Sequence, residues 1–249
     1  GGAFLKSGSR CENKGMIQSE GLLKVRASRV LNAGHMLSKG GEMRVWSSSS
    51  VSNAKTGYVS SKCALSIVSP FMENAGDVLC GHGSSCMLVD GVLSNTGTIK
   101  SVGSLALSAS KLTNKDTIGS RLSLSLSSYK LSNGGRIVGG TGETVIKLQG
   151  PCCNAGDIGS HEALRLESAG LFINKGKVVS TASLRVSCDG SVISNEGLIC
   201  SKAVFLTGSR GIFNYCQVRG THDLSLHTVG KVLNEGMLES SGMLSLTGP

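Results

Sequence analysis

The feature that most constrains the fold is an internal repeat of about 20 residues that runs along the whole chain. One copy, residues 192–201, reads Val-Ile-Ser-Asn-Glu-Gly-Leu-Ile-Cys-Ser. The same order of apolar residue, spacer, Asn, any residue and Gly recurs at intervals of 19 to 21 residues. Such a period indicates one structural unit copied about a dozen times. Every asparagine of the chain occupies this one position: Asn13, Asn32, Asn53, Asn74, Asn95, Asn114, Asn133, Asn154, Asn174, Asn195, Asn214 and Asn234.

Apolar residues stand at fixed positions around each Asn. The position two before it is always apolar, the position four after it is aliphatic or Met, and the position six after it is small, except that a two-residue insertion after Asn53 displaces the last two to Val59 and Ser61. Many copies add an apolar pair ten and twelve residues after the Asn, such as Leu105 with Leu107 and Leu224 with Leu226. A period of two marks a strand with one buried face, and helical spacing is absent. Each copy is therefore predicted to form two or three short strands joined by corners.

Short strands in units of this length can bury their apolar columns only by stacking on the equivalent strands of the next unit. The sequence therefore predicts an all-β fold, a single-stranded parallel β-helix of about 12 coils of 19–21 residues. Parallel crossovers favour the right-handed form. We expect residues 1–249 to form one continuous repeat domain. Because the repeat is still present at Leu244 and Leu246, whereas solenoids end in atypical caps, we also expect a fragment of a longer solenoid.

The Asn and the Gly two residues after it are predicted to lie at a corner. Asn tolerates the left-handed backbone of a sharp turn, and its amide can donate and accept between identical neighbours to form a ladder. The Gly supplies a second permissive backbone position. The role of these residues is therefore predicted to be architectural.

Composition narrows the class of protein. The chain is 39% apolar and 4% aromatic, and none of its apolar runs approaches the length of about 20 residues that a spanning helix needs. The formal net charge of +9 favours acidic partners such as sulfated or phosphorylated polymers, although such a charge also serves solubility.

The pattern Asn-x-Gly-x-aliphatic-x-Ser followed by Gly-x-Leu-x-Leu, as in residues 95–107 and 234–246, resembles the repeats of filamentous haemagglutinin. It is similar also to the stalks of contact-dependent inhibition proteins, among the adhesins of two-partner secretion. The resemblance covers essentially the whole chain. It implies a secreted or cell-surface bacterial fibre that carries adhesive regions or a toxin, with host-surface glycans or a receptor, and further coils of the parent chain, as partners.

The nine cysteines are an odd number, so at least one thiol is unpaired within the chain. Four fall in apolar or small columns and are predicted to be buried: Cys11, Cys80, Cys152 and Cys188. Free thiols are favoured over a disulfide framework, because disulfide-dense scaffolds are typically small. The alternative location that free thiols suggest is a reducing host compartment.

The sequence offers no catalytic, cofactor or metal site. A sugar-cleaving β-helix enzyme would need clustered carboxylates, but the aspartates are scattered, with Asp77 and Asp157 at equivalent positions about four coils apart. The histidines form no ligand set with the expected spacing. An enzyme is therefore the least favoured reading.

Positive charges suggest one alternative function. Lys24, Arg165 and Arg185 share the position eleven residues after an Asn, and Arg26 follows Lys24 on the same outward face. Arg165 and Arg185 are expected about 5 Å apart in adjacent coils. Such a stripe would hold an acidic glycan such as heparin, whereas nucleic acid is disfavoured because few aromatics are available for stacking.

Overall fold

The computed structural model describes residues 1–248. These residues contain no helix and thirty strands, which pair in parallel as a β-helix of about twelve turns. The predicted all-β fold and repeat architecture are thus confirmed, while the right-handed sense stays a prediction. The chain divides into two compact units, a first unit of residues 1–124 and a second unit from Ser125 onward.

Fourteen strands belong to the first unit. They are β1 (Ala3–Lys6), β2 (Arg10–Asn13), β3 (Met16–Ser19), β4 (Leu23–Asn32), β5 (His35–Ser38), β6 (Met43–Asn53), β7 (Tyr58–Ser61), β8 (Leu65–Ser69), β9 (Phe71–Asn74), β10 (Asp77–Cys80), β11 (Ser85–Asn95), β12 (Thr98–Ser101), β13 (Leu105–Asn114) and β14 (Thr117–Ser120).

The second unit begins within β15 (Leu124–Asn133). It continues with β16 (Arg136–Gly139), β17 (Thr144–Leu148), β18 (Cys152–Asn154), β19 (Asp157–Ser160), β20 (Leu164–Ser168), β21 (Phe172–Asn174), β22 (Lys177–Ser180), β23 (Ser183–Cys188), β24 (Val192–Asn195), β25 (Leu198–Gly208), β26 (Gly211–Asn214), β27 (Gln217–Thr228), β28 (Lys231–Asn234), β29 (Met237–Ser240) and β30 (Leu244–Thr247).

The apolar columns form the core of each unit. In the first unit Val51 lies between Val30 and Met72 in register, and in the second unit Phe172 lies between Cys152 and Ile193. All of these side chains are buried. Because equivalent positions stack directly, each inward side chain contacts its counterparts in the coils before and after it, so the repeat period itself supplies the core.

The asparagine side chains form one directional ladder in each unit. In the first unit every Nδ2 donates to the Oδ1 of the next Asn at 2.8 Å, from Asn13 through to Asn114. In the second unit the same bonds run from Asn133 through to Asn234 at 2.7 to 2.8 Å. Each amide also donates to corner carbonyls, as Asn195 does to Gly197 O at 2.9 Å. Gly197 O also accepts from the backbone N–H of Gln217 in the next coil at 3.2 Å, so the Asn amide adds a second donor to a corner carbonyl that the backbone already pairs.

The predicted backbone conformation at the corner is wrong. Among residues 1–248 only glycines have positive φ, and the single clear left-handed value is 76° at Gly190. Asn is therefore used at the corner for its amide. The following glycines have a different cause: a Cβ on Gly156 would overlap Gly135 O, and one on Gly176 would overlap Gly156 O. Close stacking of consecutive corners requires these glycines.

A column of small polar residues lines the next corner. The Ser38 hydroxyl lies 2.6 Å from Gly21 O in the preceding coil and 3.0 Å from Glu42 O, and its single hydrogen is placed between these two acceptors, so the hydroxyl ties the corner to its neighbour. Ser201 is the exception, since within residues 1–248 its Oγ alone is buried without a partner. Strand β25 is continuous through this point, and its register against β27 shifts between Ser201 and Ala203.

Candidate binding surface

Lys24 and Arg26 lie on the outward face of β4 in the first unit. They alternate with the buried residues Leu23, Val25 and Ala27, so both side chains are exposed, as the period of two predicted. Whether they bind a ligand remains a proposal.

Neighbouring coils surround these two cations with further basic and aromatic side chains. Lys24 lies between Phe4 and Arg44 in register, and Arg26 lies between Lys6 and Trp46. We call this set of six residues the Trp46 surface: Phe4, Lys6, Lys24, Arg26, Arg44 and Trp46.

All members of the Trp46 surface except Lys6 line an open groove of about 380 Å³. The Arg26 guanidinium carbon lies 4.4 Å from the centroid of the Trp46 ring, a cation–π contact, and Trp46 remains 39% exposed. Arg44 Nη2 is 2.7 Å from Glu42 Oε2, so one of the four positive charges is partly offset. The groove therefore presents net positive charge beside an aromatic edge.

The sequence reading missed Arg44 and Trp46. Their coil carries one extra residue in the corner of residues 39–42, which moves Arg44 to the twelfth position after Asn32 instead of the eleventh. The alternation of Met43, Arg44, Val45 and Trp46 was the signal that could have corrected the phase, because Met43 and Val45 are buried in register with Leu23 and Val25.

Arg165 and Arg185 lie in the second unit, and the structure brings them together. They are register partners on β20 and β23, so the predicted adjacency, about 5 Å between strands, is present. Phe205 follows in the next coil, 5.5 Å from the Arg185 guanidinium. Glu167 pairs with Arg165 and lies 3.8 Å from Lys147, so an acidic side chain offsets much of this charge.

The nine cysteines are all free thiols within residues 1–248. Cys80, Cys152 and Cys188 are buried as predicted, whereas Cys11 is only half-buried because it lies in the first coil, next to Val30 alone. Burial raises the pKa of Cys80 to about 11 and that of Cys188 to about 12, and it raises the pKa of Cys152 further. These three thiols are therefore protonated side chains of the core at neutral pH.

The described residues were compared with the requirements of a metal site and of a membrane-spanning helix. Within residues 1–248 no three His, Cys, Asp or Glu side chains form a group that could hold a metal ion. In the same part of the chain, no helix has the length and hydropathy required to cross a membrane.

Comparison with known proteins gives one match. The family model described as haemagglutinin repeat matches residues 13–66, 88–147 and 154–201, which together exceed half of the chain. Neither curated proteins nor solved structures gave a match. Haemagglutinin repeats are typical of secreted or cell-surface proteins, and together with the β-helix they support a structural, adhesin-like segment. The extent of the family match and the stacked Asn-x-Gly coils show that this chain belongs to the haemagglutinin repeat family.

Proposed function

We propose that this chain is a non-enzymatic structural segment of a bacterial adhesin or toxin-delivery fibre, in which stacked coils provide reach and display. The observation that carries the proposal is the stacking itself: within each unit, the Asn ladder and the apolar columns join every coil to the next. Such nearest-neighbour stacking extends a chain without a separate core for each part. In this proposal residues 1–249 act as one continuous β-helix that stacks on neighbouring coils of a longer parent chain.

The location proposed for the fibre is outside the bacterial cell, secreted or attached to the surface, where it contacts host-surface glycans or a receptor. Protease treatment of intact cells that express the parent protein tests this, because surface-located repeats are cleaved while the outer membrane stays closed. Full protection from the protease in intact cells, with cleavage after lysis, contradicts the proposed location. The free thiols also suit passage into a reducing host compartment.

A second candidate function is binding of acidic glycans at the Trp46 surface. The specific observation that favours it is the grouping of Lys6, Lys24, Arg26 and Arg44 around the partly exposed Trp46. Cations beside an aromatic edge can hold a sulfated or carboxylated chain through charge and ring contacts.

A screen of acidic polysaccharides for both retention and cleavage separates these functions. If the chain neither binds nor cleaves any polysaccharide, the result supports the structural role alone. Salt-sensitive retention supports the glycan site. Product formation contradicts the non-enzymatic proposal. The matched pair of double variants is Lys24→Gln with Arg26→Gln against Arg165→Gln with Arg185→Gln, since each removes the same formal charge. We expect the double variant at Lys24 and Arg26 to elute from heparin at clearly lower salt than the double variant at Arg165 and Arg185. Equal shifts would assign retention to net charge, and they would contradict a site at the Trp46 surface.

A further inference from the structure

A notch interrupts the outward face of three consecutive strands in the second unit, β16, β19 and β22. Val138, Gly159 and Val179 are register partners there. Because Gly159 has no side chain, the two valines face each other across two strand spacings, about 9.5 Å. The result is a pocket of about 250 Å³ with an apolar wall on each side.

The fold does not require glycine at this position. A Cβ on Gly159 would have its nearest contact with Val179 O at 3.7 Å, an ordinary van der Waals distance, and its φ is not left-handed. Gly156, three residues earlier, would instead overlap the backbone of the preceding coil. Glycine in a strand interior weakens the strand, and one without a structural cause often marks a place where a ligand approaches.

Polar groups surround the notch at both ends. Asp157 lies in register between Arg136 and Lys177 at one end, and His161 and Thr181 line the other. Asp157 is half-buried, whereas the Lys177, His161 and Thr181 side chains are exposed. The rim therefore offers two cations, one carboxylate and two further hydrogen-bonding side chains around an apolar slot.

We propose that the notch binds one acidic sugar residue, with the ring edge-on between Val138 and Val179. Carbon contacts of about 3.5 to 4.0 Å on each ring face need about 7 to 8 Å between the facing valine carbons, which is less than the strand separation of about 9.5 Å. The hydroxyl groups around the edge of the sugar ring reach the polar rim, where the Asp157 carboxylate accepts hydrogen bonds from them. A carboxylate on the sugar meets Lys177, with Arg136 on the same side of the slot, in charge-assisted hydrogen bonds.

The combination of walls and rim selects this class of ligand. Binding pockets are mainly apolar with a few placed polar groups. A plain aromatic ring would offer no partner to the Asp157 carboxylate or the His161 ring, whereas a neutral sugar would offer no carboxylate to Lys177. A hydroxylated ring with one carboxylate satisfies both ends.

Methyl-labelled valine NMR on the whole chain tests this directly. Methyl glucuronide is titrated against methyl glucoside, which differs only in lacking the carboxylate. We expect saturable shifts of the Val138 and Val179 methyl signals, with the buried Val218 as an unaffected reference. Binding of the glucoside should be about tenfold weaker, the loss expected for one charge-assisted hydrogen bond.

Three variants separate the site from general effects. Gly159→Val fills the slot and should abolish the shifts while the melting temperature stays equal or rises. Lys177→Gln should lower the affinity for the glucuronide to that for the glucoside, while Lys231→Gln, with the same charge change, leaves it unaltered. Gly159→Ala adds one methyl group and should weaken binding in a chain that remains folded. This variant tests the slot if the valine variant does not fold.

Three results would overturn the proposal. They are the absence of shifts at Val138 and Val179 with either sugar, shifts that persist unchanged in a folded Gly159→Val or Gly159→Ala chain, and equal affinity for the acid and the neutral sugar. None of these bears on the proposed structural role, because the notch lies on the outward face. Conversely, polysaccharide cleavage would contradict the structural role and leave the notch titration as it stands.

Discussion

Asn195 illustrates how one residue of the repeat connects three coils. Its Oδ1 accepts from Asn174 Nδ2 at 2.8 Å, while its Nδ2 donates to Asn214 Oδ1 at 2.8 Å and approaches Gln217 O at 3.1 Å. The side chain is 1% exposed. Because the side chain is buried, its removal would take away the acceptor of one ladder bond and the donor of the next without water to replace them.

Replacing Asn195 with Ala should therefore destabilise the second unit. We expect a loss of about 2–4 kcal/mol, because two buried ladder bonds are lost, the one from Asn174 Nδ2 and the one to Asn214 Oδ1, at about 1–3 kcal/mol each. Amide hydrogen exchange near residues 195–217 measures the local loss. The matched control is Asn234→Ala, whose side chain is exposed and accepts a single ladder bond from Asn214, and it should cost less than about 1 kcal/mol. Equal effects of the two substitutions would contradict a buried ladder.

The buried thiols couple folding to alkaline pH. Burial raises the pKa of Cys80 to about 11 from an ordinary value of 9.0, so between these values the folded chain holds a proton that the unfolded chain has released. Stability from this group is complete below pH 9 and is lost as the pH rises toward 11. Burial is the larger cause of the shift, and the Ser85 hydrogen bond opposes it.

Cys80→Ser isolates this contribution. Serine occupies the same column at Ser61 and Ser101, so the substitution fits the corner. Between pH 9 and 11 the parent chain should lose about 2 kcal/mol more unfolding free energy than the variant, since other titrating groups are shared. Urea unfolding of both chains at several pH values measures the difference. Parallel pH profiles would show that the Cys80 thiol titrates alike in both states.

At the scale of strands and corners, the glycines fall into two kinds. Gly156→Ala should destabilise the second unit by more than about 2 kcal/mol, because the new Cβ overlaps the backbone of the preceding coil. Gly159→Ala, in the same strand region, should be neutral or stabilising by about 0.4–1 kcal/mol, because the unfolded chain loses freedom. Thermal unfolding of the two variants measures the contrast. If Gly159→Ala proves the more damaging, the space beside Gly159 is not what the structure shows.

The elements also show what the sequence could predict. Columns such as Val30, Val51 and Met72 were predictable because the inward position recurs in phase, and the Asn ladder followed from one residue type at one position. The Trp46 surface was not, because a one-residue corner insertion shifts the outward residues of β6. The slot at Gly159 was also beyond the sequence, since glycine alone does not show whether the space beside it is filled.

At the scale of the whole molecule, the coils differ in how many neighbours cover them. Leu224 and Leu244 are register partners in the second unit, yet Leu224 is fully buried and Leu244 is 47% exposed. We expect Leu224→Ala to cost about 2–5 kcal/mol and Leu244→Ala less than about 1 kcal/mol. Urea unfolding monitored in the second unit measures both. Similar costs would mean that another surface covers Leu244 in solution.

Family membership and fold together support a structural, adhesin-like segment, and the net charge of +9 lies on an outward surface that the core does not need. In the described strands, inward positions repeat while outward positions vary from coil to coil, as Lys24, Arg44 and Ser66 do along one column. The inward face of each strand therefore carries the stability of the fold, and the outward face can vary without disturbing it.

The identical ladder bonds have an evolutionary consequence. Asn133 donates to Asn154 as Asn154 does to Asn174, so each corner offers the next coil the same partner. An in-frame loss or duplication of one whole period, by recombination between similar stretches of the gene, would keep donor opposite acceptor at the new junction. A gain or loss of half a period would not. The length of such a repeat segment can therefore change by whole coils over generations while each remaining outward face keeps its own residues.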